Sequence, residues 1–178
     1  MVTLARGSFS LDLGIVKLGA DLTNEDRQCA WELYTEMSTR VSTIGKIADK
    51  ECKDFEGELY IESLDSLYRF FQEARNIMRK FPVGRIKEEK NKSHLGAVIS
   101  RCMDNVLRPF LEKWHVHYRH WWENESNPRK APFERQNEYP KRDEFLKDWG
   151  DLKIIMREFQ KEIIKVYSLV DITGKPDK

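Results

Sequence analysis

The chain has 178 residues, 40% of them hydrophobic and 34% charged, a composition that excludes disorder and lets one domain bury a core unaided. Its 31 basic and 30 acidic residues give a net charge of +1, so no global field draws it to a nucleic-acid backbone or an anionic membrane. Cys29, Cys52 and Cys102 are widely separated and lack metal-ligand spacing, which fits free thiols in a reducing cytoplasm. In the opening MVTLARGSFSLDLGIVKLG, Asp12 and Lys17 interrupt the apolar stretch. No run approaches the ~20 apolar residues of a membrane span, so neither secretion nor a membrane is expected.

Residues 1–22 read as an extended lead segment. Phe9, Leu11, Leu13 and Ile15 alternate within residues 8–18, the period of a strand that lies on the rest of the fold or pairs with a second copy. Thr23 with Asp26 resembles a capping box. Ala30, Tyr34, Met37, Val41 and Ile44 then form the stripe of a first helix ending near Gly45. A charged connection, residues 46–57, leads to a second stripe through Leu64, Leu67, Phe71, Ala74, Met78 and Phe81, stopped by Pro82 and Gly84.

After a charged loop at 85–92, Ser93 is placed to cap a third helix that runs to about Glu123, with a stripe of Met103, Leu107, Phe110, Trp114, His117 and Trp121. Pro109 inside it removes one backbone hydrogen bond and predicts a kink that frees the Asn105 carbonyl. Residues 124–140 contain Pro128, Pro132 and Pro140 and read as a loop. The last helix starts near Pro140, its core seam being Phe145, Trp149, Leu152, Met156, Phe159, Ile163, Val166 and Val170. Lys153, Arg157, Lys161 and Lys165, interleaved with Glu158 and Glu162, read as its solvated face. The expected fold is all-α: one domain over residues 1–178, built as an up-down-up-down four-helix bundle.

No phosphate-binding glycine loop, dinucleotide fingerprint, HExxH, paired CxxC or GxSxG is present, so nucleotide hydrolysis, dehydrogenation and common hydrolase chemistry lack support. The Glu-x-x-His contact of di-iron bundles occurs once, at Glu112 and His115. His117, His120 and Glu123 recur at intervals of three and could face a metal, but the plainer reading keeps His117 in the core and the other two in solvent. No metal or cofactor is expected.

Arg108 and His115 stand seven residues apart, two turns, on one side of the third helix, and Asp104 precedes Arg108 by one turn, placed for an ion pair. This spacing resembles the Arg…His signature of the HEPN superfamily, helical-bundle domains among which many are metal-independent ribonucleases. The resemblance implies Arg108 on the scissile phosphate and His115 in acid–base transfer, at a dimer interface. It departs from the family pattern at Pro109, where a polar residue usually follows the arginine. In that reading Arg129, Lys130, Arg135 and Arg142, with Phe133, Tyr139 and Lys141, would contact RNA, though Glu134 and Glu138 dilute their charge.

The segments AWELYTEMSTRV, LDSLYRFFQEARNIM and VLRPFLEKWH look like stretches of uncharacterised bacterial helical proteins of conflict or defence neighbourhoods, which implies a setting and no catalytic residue. Trp121 and the adjacent Trp122 cannot both enter one core. With Tyr118 they mark a candidate interaction surface, because aromatic side chains concentrate at binding hot spots. The residues therefore point to a non-enzymatic interaction module whose partner is another protein or a second copy. A HEPN-like ribonuclease is the alternative, and nucleic-acid binding is otherwise not expected.

Overall fold

A computed structural model describes residues 2–14, 23–80 and 95–173. The elements in order are β1 (Val2–Arg6), β2 (Phe9–Gly14), α1 (Asn24–Ser38), α2 (Val41–Ile44), α3 (Tyr60–Lys80), α4 (Leu95–Cys102), a π-helical turn (Met103–Leu107), α5 (Arg108–Asn124), α6 (Pro132–Gln136) and α7 (Arg142–Tyr167). The fold is mostly helical. Among the long helices, α1 packs on α3 and α7, and α5 packs on α3 and α7.

The lead segment lies against the helices as expected, and it brings a partner the pattern did not show: Val2–Arg6 pairs antiparallel with it, with Leu4 opposite Leu11 and Arg6 opposite Phe9. The turn at Gly7, in the left-handed region at φ +54°, lets so short a hairpin close. Two strands alone would be marginal, and burial of Phe9 and Leu11 against the helices anchors them. Arg6 reaches Asp151 of α7 at 3.5 Å. Ile15, Phe81, Pro82, Gly84, the 85–92 loop and the Ser93 cap lie outside the described residues.

The Thr23 capping box is present: Thr23 Oγ1 accepts from the Asp26 amide and Asp26 Oδ2 accepts from that of Thr23. The first helix breaks earlier than its stripe suggests. Ser38 and Thr39 donate their hydroxyls back to the carbonyls of Tyr34 and Thr35, which competes with continuation of the ladder. Arg40 is extended, α2 restarts at Val41, and Val41 is turned out to 46% exposure while Ile44 stays buried. In α3 the buried stripe is Tyr60, Leu64, Leu67, Phe70, Ala74 and Ile77, so Phe71 and Met78 sit at its edge.

Pro109 does not sharply break the third helix. The preceding turn widens to the π spacing, in which the Arg108 amide donates to Met103 O, five residues back. Beyond it Trp114 is followed in the core by Tyr118 and then Trp121, and His117 is exposed. The sequence stripe placed His117 one position short of the buried line. The 124–140 loop contains α6. In α7 the residues Phe145 to Ile163 of the seam are buried as expected, but Val166 is only partly covered and Val170 is 74% exposed, because the helix ends at Tyr167 with Ser168 left-handed.

Lys153 corrects the solvated-face reading of α7: it is 1% exposed. Two glycines make room around it. Gly45 has φ +69°, and a Cβ there would press on Lys153 and Arg157, while a Cβ on Gly150 would lie 2.8 Å from the Cys52 carbonyl oxygen. The 45–59 connection therefore sits directly on α7.

Candidate functional site

Arg108 and His115 are each engaged by a different carboxylate. Arg108 Nη1 lies 3.1 Å from Asp104 Oδ1, one turn back, with both side chains about half exposed. His115 turns toward α3, where its Nε2 is 3.1 Å from Asp65 Oδ1 and its ring stacks on Tyr68 at 5.2 Å between centroids. Arg119 reaches the same Asp65 oxygen. Burial raises the Asp65 pKa, but the hydrogen bonds from His115 and Arg119 outweigh it and hold the carboxyl below its ordinary value.

That shift sets a pH dependence. Because the folded pKa lies below the unfolded one, the contribution of Asp65 is complete above about pH 4 and fades as pH falls through the folded value. Urea denaturation of wild type and Asp65→Asn should show a stability gap at neutral pH that narrows in acid. A gap independent of pH would mean that the carboxylate does not hold the two helices together.

The aromatic candidates separate by depth. Tyr118 and Trp121 are core residues, packed against Tyr139 at centroid distances of 5.0 and 5.1 Å. Trp122 is partly buried and lies beneath the guanidinium of Arg135, 3.9 Å from its ring centroid. Arg135 also donates to Trp122 O and Ser126 Oγ, so it clamps the 124–140 loop onto the end of α5. Lys130 pairs with Glu138, and Arg142 meets Asn137 and Asp143 at 3.2 and 3.3 Å. Arg129 is exposed. The basic loop thus spends most of its cations on its own carboxylates, carbonyls and rings. His117 and His120 are both exposed, and among the described residues no group of three His, Cys, Asp or Glu is placed to hold a metal.

Two features were not read from the sequence. The first is a buried ion pair: Lys153 Nζ donates to Glu58 Oε1 at 2.5 Å, and the ammonium also lies over the ring of Phe55 at 4.2 Å. Burial pulls the Lys153 pKa down, and Glu58 pushes it partly back up. Gln136 completes the nest by donating to Glu58 O and accepting from the Tyr60 amide. The available signal was the spacing of Lys153, four residues after Trp149 and three before Met156, which is a core position of α7.

The second feature is a groove of about 390 Å3 along α7. Ile154 and Ile164 contribute apolar surface from α7, Ile44, Ile47 and Lys50 line it from α2 and the connection that follows, and Asp171 and Thr173 line it from the segment after α7. Arg157, one turn along, donates to the carbonyls of Ile44, Lys46 and Asp49 and so fixes that wall. The C-terminal wall is tied to α1, where Tyr34 Oη donates to Asp171 Oδ1 at 2.9 Å and accepts from the Ile172 amide at 2.6 Å. Of the apolar lining residues, Ile47 is 63% exposed and Ile44 is buried.

Among the described residues no helix is long and apolar enough to cross a membrane. The chain matches no protein-family model, no curated protein and no solved structure.

Proposed function

We propose that this chain is a non-enzymatic helical interaction module, an up-down-up-down bundle that binds a protein partner in a bacterial cytoplasm, in a defence or toxin-related setting. The observation that carries the reading is the groove on α7, which gathers Ile44, Ile47, Ile154 and Ile164 and leaves Ile47 exposed. Clustered apolar side chains in a concavity with a polar rim are the ordinary signature of a surface meant to be covered. The ring of contacts through α1, α3, α5 and α7 supports the bundle topology. The setting rests on the resemblance of the helical segments.

A ribonuclease is the second reading, favoured by one observation: Asp65 orients the His115 ring, as a carboxylate does for a general base. Against it, Arg108 is committed to Asp104, outside that pair. The deciding experiment is RNA cleavage by the purified chain in excess chelator. The expected result is no cleavage, with Arg108→Ala costing under about 1 kcal/mol of stability, the value of an exposed ion pair. A chelator-resistant activity that disappears in both Arg108→Ala and His115→Ala, with folding intact, would replace the module by the enzyme.

A further inference from the structure

We infer that β1 is a pairing edge for a second copy of the chain, which joins two hairpins into one antiparallel sheet of four strands. This surface is separate from the α7 groove and does not depend on it. Arg6 and Phe9 close the hairpin over a two-residue loop, so they exchange both backbone hydrogen bonds, and Leu4 and Leu11 do the same. The alternation then points the N–H and C=O groups of Thr3 and Ala5 away from β2. Among the described residues none of these four groups has a hydrogen-bond partner, and both residues are exposed. The two edges differ in their neighbours: β2 runs beside α4 and the π-helical turn, while β1 packs on α7. Open edges are ordinarily blunted by a charge, a proline or a bulge. Here Thr3 and Ala5 are uncharged, Arg6 is drawn to Asp151, and the irregularity in the pairing falls between Val2 and Thr3, at the end of the stretch.

What selects a second copy is the match of β1 with itself. A two-fold axis through Leu4, normal to the sheet, sets Thr3 of each copy opposite Ala5 of the other, so every outward donor meets an outward acceptor. Moving the axis to Thr3 or Ala5 leaves half of these groups facing the strand end or the Gly7 turn. The same axis lays Leu4 against Leu4 of the second copy on the helix-facing side. Leu4 is only partly buried against the core, and the pairing extends its contact with Leu11 into a row of four leucines across the sheet. A charged foreign strand would find no opposite charge at Thr3 and Ala5, whereas the net charge of +1 raises no long-range repulsion between copies.

So short a ladder falls below the ~1,000 Å2 of a stable interface, and the dissociation constant is expected at about 0.1–1 mM. Sedimentation equilibrium of the full chain from about 50 μM to 2 mM tests this, together with amide hydrogen exchange read by NMR. The Thr3 and Ala5 amides should exchange about threefold or more slowly at the top of that range than at the bottom, and the outward Ser10 amide of β2 should not change. Ala5→Pro removes an outward donor without touching the bonds to β2, so it should raise the dissociation constant about tenfold or more while the thermal transition persists. If that variant fails to fold, Thr3→Lys decides by the same readings, since it keeps the backbone donors and sets a charge on the edge. A monomer throughout, a dimer in which the Thr3 and Ala5 amides stay fast, or a dimer unaffected by the folded edge variant would overturn the pairing. None of those results bears on the groove.

Discussion

Glu58→Ala is expected to lower stability by about 3–5 kcal/mol, because it leaves the ammonium of Lys153 buried without a counter-charge. Urea denaturation at neutral pH measures the loss. The sign of its pH dependence follows from Lys153, whose folded pKa already lies below that of an ordinary lysine and falls further once Glu58 is gone. Between that lowered value and about 10.4 the unfolded chain holds the extra proton, so raising the pH stabilises the variant. The deficit should therefore shrink toward pH ~10. Replacing both partners by apolar residues, Glu58→Leu with Lys153→Met, should recover most of the loss, since buried pairs exchange for well-packed apolar groups at little cost. A Glu58→Ala deficit below about 1 kcal/mol would place the pair in water.

Phe159→Asp is expected to abolish the fold. Phe159 is 2% exposed on the buried side of α7. Losing the ring alone costs about 3–5 kcal/mol, and the unpaired carboxylate left in its place costs several more. The sum reaches the total stability of a typical domain, about 5–15 kcal/mol. Far-ultraviolet circular dichroism should lose its helical signal, and a cooperative thermal transition retained by this variant would refute the placement of α7 at the centre of the core.

How much of this was legible in the sequence depended on whether a feature is local. The seam from Phe145 to Ile163 could be read because one helix repeats large apolar side chains at its own period. The Asp104–Arg108 pair could be read because its partners are one turn apart. The partner of His115 could not, since Asp65 lies on another helix fifty residues away. Lys153 was misread for a different reason: its charge outweighed its core spacing, and only the approach of Glu58 from the 45–59 connection makes that position tolerable. The tryptophan pair was half legible. Adjacent positions did force one ring outward, but the cover that Arg135 lays over Trp122 depends on the course of the 124–140 loop.

The widened turn at Met103–Leu107 holds one residue more than a regular helix needs there. In an unbroken α-helix of this length, Phe110 and Trp114 would stand about 100° around the axis from the line of Val98 and Cys102. All four are nevertheless buried, and Cys102 Sγ lies 3.6 Å from Met156 Sδ, because the wide turn absorbs the surplus residue. A deletion of one residue within it should therefore leave a straight α-helix with both faces still on the core. A further insertion has no such slack to draw on and would turn one of the two faces toward solvent.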